Sequence, residues 1–401
     1  MHKKSLVLAI AAALAVPAAY AKDDADSVVE LYGKLYPEIV QPHGSGATAA
    51  GSAHATLGAA PTGENSFISR TEMESSNSRF GVRGHEKLGH GLKAVFQLES
   101  EFHIDSNDSK FAQRNSFVGL DSAAWGTVKL GRMDTPFKTY GDDISFLGIS
   151  SGNFVSSSNL LRKTGFGTSS ASSFHLRRAN MVQYESPDRL GPLDFTVQYS
   201  TDEADTATRH PHVWSAGVHY AAGPVEVSLA HEIHWDLFGG SKNSPSAMSN
   251  ASDQNVNSKD QATQAMIKWQ ATKVHRFEAD IIRKEYKENA NTLGRFESYK
   301  NNAYELIWDA RWSRQWRTAL EYIHSDKGSC SRFGAVCVTD GLDGSQLQFG
   351  VAYYFSKRTM VFAMGALLRN GFSARYNNSA EQAPSVGEDI DQYAIGMSHS
   401  F

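Results

Sequence analysis

Hydrophobic and polar residues alternate with a period of two over long stretches of this chain. In residues 91–105 one face is apolar except for Ser100, and the other is polar or charged except for Val95. The apolar positions are Leu92, Ala94, Phe96, Leu98, Phe102 and Ile104. Such alternation predicts a two-faced β-strand. Its length exceeds the roughly 9–11 residues that a tilted strand needs to cross a bilayer.

The same pattern recurs in segments 28–36, 193–200, 225–229, 304–312, 346–355 and 393–401. In the last of these, Phe401 ends a face that begins at Tyr393. Aromatic residues cluster near the predicted strand ends, as two interfacial girdles require: Trp308 with Trp312, Trp316 with Tyr322, and Tyr353 with Phe355. Many long strands of this kind indicate a transmembrane β-barrel with lipid outside and water inside.

Short and long connections alternate between these strands. The short ones are 88–91, 124–126, 190–192, 222–224, 271–272, 313–314 and 356–357, and the long polar ones are 41–72, 105–111, 134–176, 201–211, 237–259, 287–295, 327–344 and 371–388. Seven short turns and eight long loops give 16 antiparallel strands, with both termini on the short-turn side. We therefore predict an all-β fold, a 16-stranded barrel of the size that encloses an aqueous channel.

The N-terminus has the features of a secretory signal peptide over residues 1–21. Lys3 and Lys4 precede an apolar core, and Ala19-Tyr20-Ala21 forms a cleavage site before Lys22. We expect one mature domain, 22–401, because no linker divides it. Without the two signal lysines the mature chain has 37 Lys and Arg against 43 Asp and Glu, a formal charge of −6. That balance argues against nucleic acid as a partner.

The remaining chemistry of the chain predicts no cofactor, metal or catalytic site. Cys330 and Cys337 lie close together in an exported chain, so a disulfide is expected, and a two-thiol metal site is the weaker alternative. His231 and His234 resemble a metal pair but point to opposite faces of a strand. No phosphate-binding loop ending in Gly-Lys-Ser/Thr and no Gly-x-Ser-x-Gly elbow occurs.

The chain resembles the Gram-negative general porins. The resemblance is closest in SRFGVRGHEKLGHGLKAVFQLE at 78–99, which is similar to the family's second hairpin. Further similar segments are ELYG at 30–33, FVGL at 117–120, GTVKLGR at 126–132, YESP at 184–187, SKRT at 356–359 and the terminal Phe401. The resemblance implies an outer-membrane homotrimer in contact with lipid. Each barrel would be a water-filled pore for passive diffusion of small hydrophilic solutes and inorganic ions.

The resemblance also implies a constriction, formed where the third long loop, 134–176, folds into the barrel. In such porins a basic patch on the wall faces acids on that loop. The matching motifs place Arg79, Arg114 and Arg177 on the basic wall, with Arg132 and Arg178 as further candidates. Asp142 and Asp143 are the expected loop acids, and the apolar cluster Ile144, Phe146 and Leu147 favours docking of the loop against the barrel wall.

Two other functions stay open from the sequence alone. An outer-membrane barrel enzyme, such as a lipase or protease, would need a Ser/His or Asp/His set at the membrane surface. An exported soluble all-β binding protein is the second alternative, which the strand lengths argue against. For a porin we expect weak anion preference, because local wall charges must outweigh a negative overall charge. The first long loop, 41–72, is rich in Gly and Ala and has no predictable shape.

Overall fold

A computed structural model of the chain describes residues 27–48, 65–75, 78–106, 111–141, 155–166, 173–201, 208–238, 257–289, 292–379 and 382–401. The predicted signal peptide, 1–21, lies outside these residues. In the described part nineteen strands form one antiparallel sheet: β1 Val28–Leu35, β2 Glu38–Ser45, β3 Glu72–Glu74, β4 Arg79–Gly89, β5 Leu92–Glu101, β6 Ser116–Ser122, β7 Gly126–Asp134, β8 Arg177–Glu185, β9 Leu193–Thr201, β10 His212–Ala222, β11 Val225–Trp235, β12 Ser258–Gln270, β13 His275–Glu288, β14 Phe296–Arg311, β15 Trp316–Ser325, β16 Ser329–Arg332, β17 Gly344–Tyr354, β18 Thr359–Asn370 and β19 Asp389–Ser400.

The nineteen strands make a closed barrel of 16, as predicted. β1 and β2 form one kinked barrel strand, β3 and β4 form the next, and β16 belongs to an external hairpin. The barrel closes where β19 pairs with both β1 and β2. At this seam the amides of Gly33 and Phe401 each donate to the other residue's carbonyl oxygen at 3.1 Å. A Cβ on Gly33 would lie 2.3 Å from the Phe401 ring, so the terminal ring requires glycine there.

The alternation assigns side chains to the two faces as predicted. In β5 the outward Leu98 is 44% exposed to the lipid side, whereas its inward neighbour Glu99 is buried. The strand is shorter than the predicted 91–105, however, and ends at Glu101. Beyond it the Phe102 amide donates to the Ser78 carbonyl at 3.1 Å, and the Ile104 amide donates to Ser75 Oγ at 3.0 Å. The chain there follows the kink between β3 and β4 and leaves the strand pairing.

The short turns and long loops fall close to their predicted positions. The first loop starts later than predicted, because β2 continues to Ser45. On the short-turn side the aromatic rings form a girdle: Trp308 and Trp312 lie 6.2 Å apart, and Tyr353 and Phe355 lie 5.1 Å apart. Trp316 packs against Tyr353 at 5.0 Å, at the turn end of its strand.

The third long loop folds into the barrel and packs on its inner wall. Two short helices lie in its described parts, α1 Pro136–Thr139 and α2 Ser158–Leu161. The apolar side chains of these helices, and Phe174 later in the same loop, join a buried cluster with residues of the wall and of other loops: Phe137, Leu160 and Leu161 with Phe238, Tyr286, Tyr299, Leu342 and Tyr376. The predicted docking of this loop is confirmed, although Ile144, Phe146 and Leu147 lie outside the described residues.

No helix in the described part of the chain is long and apolar enough to cross a membrane.

The predicted disulfide is present. Cys330 and Cys337 are bonded, with their Cα atoms 5.7 Å apart. The bond closes the hairpin that begins with β16, which itself pairs with the outer end of β14. The two thiols are thus consumed in a crosslink of an outer loop, and the alternative of a metal site at these cysteines is wrong.

Candidate pore constriction

The three arginines predicted from sequence lie near one another on the inner wall. Arg79 begins β4, and its outward neighbour Phe80 is exposed on the lipid side. The Arg79 guanidinium is close enough to Arg114 and Arg177 to be repelled by their positive charges. Glu99 and Tyr32 interact favourably with the same guanidinium. Three segments that are separated in sequence thus contribute to one basic cluster.

Arg114 is held by a carboxylate of the neighbouring strand. Its Nε lies 2.6 Å from Glu99 Oε1, and Tyr32 Oη donates to Glu99 Oε2 at 2.9 Å. β6 starts at Ser116, so Arg114 precedes the strand. Its amide nevertheless donates to the Glu99 carbonyl at 3.0 Å, which aligns the arginine with β5.

Arg177 belongs to a network that reaches into the third loop. Its Nε donates to Asn115 Oδ1 at 2.9 Å, and its Nη2 lies 3.1 Å from Asp134 Oδ2. The second oxygen of Asp134 lies 2.8 Å from Lys138 Nζ in α1. One carboxylate therefore holds an arginine of the wall and a lysine of the loop together. This arrangement fixes the start of the third loop beside the basic cluster.

Lys138 was not predicted as a site residue. Thr135 caps α1, because its Oγ accepts from the Lys138 amide, and Pro136 at the first position favours the helix start. Burial lowers the pKa of Lys138 to about 8, and the charge of Arg177 acts in the same direction, while Asp134 opposes the shift. A Thr-Pro pair directly after a strand that ends in Asp134 is the sequence signal that marks this lysine.

Lys34 is a second missed residue, directly opposite Arg79 in the pairing of β1 with β4. The alternation in residues 28–36 puts Lys34 on the same face as Glu30 and Tyr32. The further candidates Arg132 and Arg178 lie at the edge of the same cluster, since the charges of Arg177 and Arg178 act on Arg132. Arg132 Nε donates to the backbone oxygen of Gln113 at 2.7 Å. The predicted loop acids, Asp142 and Asp143, lie outside the described residues.

The first part of the third loop is fastened to the wall beyond the cluster. The Phe137 amide donates to Ser215 Oγ at 3.1 Å, and Gln264 donates to the Phe137 carbonyl at 2.6 Å. Tyr140 Oη donates to Asp194 Oδ1 at 2.7 Å. The adjacent Gly141 has no Cβ, which leaves room for the buried guanidinium of Arg162 from the second part of the loop.

The later part of the loop is held by one buried lysine of β13. Lys284 Nζ donates to the carbonyl oxygens of Leu161 at 2.9 Å, Lys163 at 2.6 Å and Leu160 at 3.4 Å. Two of these carbonyls belong to the last turn of α2, where a cation is favoured by the helix dipole. The lysine thus anchors the loop to the wall on the side away from the arginines.

Below the cluster, toward the short turns, the inner wall consists of matched ion pairs. Glu30 pairs with Arg83 at 2.8 Å and Lys129 with Glu185 at 2.5 Å. These residues line a polar cavity of about 320 Å³ together with Gln97, Asp121 and Thr127. Asp121 lies 3.6 Å from Lys93, so each of these carboxylates has a cationic partner, whereas cations are in excess in the cluster above. The cluster is therefore a section of the described wall in which cations outnumber carboxylates.

Candidate metal and catalytic positions do not converge. His231 hydrogen-bonds Thr263 on the outer face, whereas His234 is buried inside, 2.7 Å from Glu232 and stacked on Phe174. The two rings thus lie on opposite faces, as the strand geometry predicts. Among the residues that the structure describes, no group of three or more His, Cys, Asp or Glu side chains is placed to hold a metal ion.

Comparison with known proteins gives a consistent result. A family model described as Gram-negative porin matches residues 7–373. An outer membrane porin protein of Bordetella pertussis is 31% identical over 172 residues, which cover 39% of this chain and 42% of that protein. The major outer membrane protein P.IB of Neisseria meningitidis serogroup B is 27% identical over 311 residues, 75% of this chain and 79% of that protein.

Solved structures of similar fold include two outer-membrane proteins. An anion-selective porin from Comamonas acidovorans has a TM-score of 0.69 and 22% identity, and the similarity covers 94% of this chain and 100% of that one. The trimer form of OmpT from Vibrio cholerae has a TM-score of 0.62 and 15% identity, covering 94% of this chain and 99% of that one. At identities of 22% and 15%, the similarity to these two structures shows a shared fold alone.

Proposed function

Because the chain belongs to the Gram-negative porin family and forms an outer-membrane channel for passive diffusion of small hydrophilic solutes, we propose that Arg79, Arg114 and Arg177 line its narrowest zone. The observation that supports this proposal is the excess of positive charge on one section of the inner wall. Lys34 and Lys138 add two cations to the three arginines, against the carboxylates of Glu99, Glu101 and Asp134.

Such a cluster biases which ions enter a narrow pore, because field lines are focused where the walls have a low dielectric constant. We propose weak anion preference. The carboxylates neutralise part of the cluster and position Arg114 and Arg177, so that the net positive charge is small. Asp142 and Asp143 are proposed to face this wall from the third loop, as in similar porins.

Replacing the three arginines by serine tests the assignment. In a planar bilayer under a KCl gradient, the triple variant Arg79→Ser, Arg114→Ser, Arg177→Ser is expected to change the anion-to-cation permeability ratio toward cations by at least about twofold. A matched variant, Lys259→Ser, Arg283→Ser, Lys300→Ser, removes the same charge from the outer face of the barrel and is expected to keep the parent ratio. An unchanged reversal potential in the arginine variant would refute the assignment.

We further propose that three barrels associate into a homotrimer and that the mature chain begins at Lys22. The trimer is proposed from the family resemblance, and the first mature residue is proposed from the N-terminal sequence pattern. Neither proposal rests on contacts within one barrel. Native mass spectrometry of outer-membrane extracts measures both. A complex of three chains, each lacking residues 1–21, is expected. A monomer that conducts alone, or a chain retaining Lys3 and Lys4, contradicts the respective proposal.

The two alternative functions have no support. The hypothesis of a soluble binding protein is wrong, because the barrel closes with an apolar outer face and the family consists of outer-membrane channels. The family and the similar proteins reported above are channel proteins, which favours the channel over a barrel enzyme. Stepwise ohmic conductance after reconstitution is the expected result for the channel, and its absence from a folded preparation would count against it.

A further inference from the structure

Three apolar side chains interrupt the polar inner wall near the short turns. In β5 the inward face is polar or charged except at Val95. The strand pairing places Val95 beside His85 of β4, and Val28 of β1 lies on the other side of that histidine. Phe117 of β6 lies opposite Gln97, the next inward residue of β5. The three exceptions to the alternation therefore meet on one part of the wall.

These apolar side chains line the cavity of about 320 Å³ described above. Gly119, which pairs directly with Val95, has no side chain to fill the space between the strands. Val28 is 48% exposed. Apolar surface that faces water inside a channel gains free energy when a solute covers it, and the volume lies at the lower end of the range of about 300–1,000 Å³ for ligand sites. The size of the cavity thus suits a small molecule.

An accessible ion pair lies at one side of this cavity. Glu30 and Arg83 are directly opposite each other in the pairing of β1 with β4, and Arg83 Nε donates to Glu30 Oε2 at 2.8 Å. Their side chains are 52% and 51% exposed, whereas those of Arg114 and Glu99 in the constriction are 6% and 10% exposed. The contact uses one nitrogen and one oxygen, so the Nη groups and the second carboxylate oxygen remain able to bind a solute.

A second ion pair lies at the other side of the apolar side chains. Lys129 Nζ lies 2.5 Å from Glu185 Oε1 and 4.8 Å from the centroid of the Phe117 ring. Each side of the cavity thus has a cation next to a carboxylate. A solute with a single charge would meet an unfavourable charge beside each favourable one, whereas a zwitterion can satisfy both members of a pair.

We propose that this cavity binds free amino acids with an apolar side chain. The α-carboxylate would accept from the Arg83 guanidinium, the α-ammonium would donate to Glu30, and the side chain would cover Val28, Val95 and Phe117. The two charged groups of an amino acid are adjacent, as are those of the Glu30–Arg83 pair, and both new contacts are charge-assisted hydrogen bonds. The proposal rests on the channel function and names a class of solute for it, independently of the three constriction arginines.

Binding at this cavity is expected to be weak and brief. An exposed ion pair contributes little to stability, so its groups exchange partners at little cost. Conduction requires that a solute is bound favourably enough to enter a pore and loosely enough to leave it. A half-exposed site beside the short turns meets both conditions.

The test measures the conductance of the folded mature protein in planar bilayers as solute is added to dilute KCl. L-phenylalanine is the probe. Phenylacetate lacks the ammonium group, phenethylamine lacks the carboxylate, and glycine lacks the apolar side chain. L-phenylalanine is expected to reduce the conductance to a saturating level, with a half-saturating concentration at least about fivefold lower than that of each comparison solute.

Two variants separate the charged and apolar parts of the site. The variant Glu30→Gln, Arg83→Gln removes one cation and one carboxylate and is expected to raise the half-saturating concentration of L-phenylalanine at least about fivefold. Phe117→Ala is expected to weaken L-phenylalanine binding and leave glycine binding unchanged. It also tests the proposal where the double variant folds poorly.

A matched control removes an ion pair from the outer face. Arg369 and Asp391 lie 2.5 Å apart on β18 and β19, and the variant Arg369→Gln, Asp391→Asn is expected to bind L-phenylalanine as the parent does. Equal weakening in the control, unchanged binding in the Glu30 and Arg83 variant, or phenylacetate binding as tight as that of L-phenylalanine would overturn the proposal. A channel that conducts ions without any response to L-phenylalanine refutes this site alone, whereas a folded protein without conductance counts against the channel itself.

Discussion

The basic side chains of the wall differ in what holds them. Arg114 and Arg177 each have a carboxylate partner, Glu99 and Asp134, whereas Arg79 faces the charges of the other two arginines. The alternation in the sequence predicts that Arg79 and Glu99 face inward. It does not predict which arginine meets which carboxylate, because that depends on how strands align and where each loop begins. The pairs were therefore found only in the structure.

We expect two loop lysines to make the ion selectivity depend on pH. Burial lowers the pKa values of Lys138 and Lys163 to about 8. Both are mainly charged below that value and lose their charge as the pH rises through it. Anion preference is therefore expected to decrease between about pH 7 and about pH 9.5, well below the ordinary lysine pKa.

Reversal potentials across that range measure this dependence. The double variant Lys138→Arg, Lys163→Arg retains both charges throughout, since arginine stays protonated, and is expected to be independent of pH. Each single variant measures how much one lysine contributes to the pH dependence of the selectivity. A parent channel with constant selectivity, or a double variant that keeps the pH dependence, would contradict the explanation.

The third loop is an element whose position depends on a few polar anchors. Its apolar side chains pack on the wall, and hydrogen bonds with Ser215, which accepts, and with Gln264 and Lys284, which donate, determine where the loop docks. The sequence predicts inward docking through an apolar cluster in a long polar loop. The anchors could not be predicted, because they lie 78 to 127 residues away in sequence from the loop residues that they bond.

Replacing Lys284 by methionine is expected to loosen the loop. The carbonyls of Leu160, Leu161 and Lys163 would lose a charged donor, and each buried carbonyl left without a partner costs about 1–3 kcal/mol. Open-channel current noise is expected to rise, with brief closures at high voltage. Lys287→Met changes the outward-facing lysine of the same strand and is the control. Equal noise in both variants would show that Lys284 does not hold the loop.

For the whole barrel, overall charge and local charge have opposite signs. Residues 22–401, the proposed mature chain, have a formal charge of −6, with 37 Lys and Arg against 43 Asp and Glu. The proposed preference for anions arises because an ion in the pore is close to the basic cluster and far from most other charges. Dissolved salt first screens the charges that are far from an ion in the pore. At high concentration it also screens the charges of the pore wall.

Anion preference is therefore expected to be stronger in dilute salt. The Debye length falls from about 10 Å at about 0.1 M to about 3 Å at about 1 M, so the field of the cluster reaches less of the lumen at the higher concentration. Permeability ratios measured at a fixed concentration gradient around each salt level test this. A ratio that does not change with salt would indicate selection by size or by direct binding instead of the field.

The sequence by itself determined the number of strands, the two faces of each strand, the side of the termini and the disulfide. These are local properties, since a period of two assigns faces without knowledge of any partner. Only the tertiary structure decided that Glu99 holds Arg114, that Asp134 joins Arg177 to Lys138, and that Lys284 anchors the third loop. Those contacts depend on strand register and on loop packing between distant segments, for which the alternation contains no information.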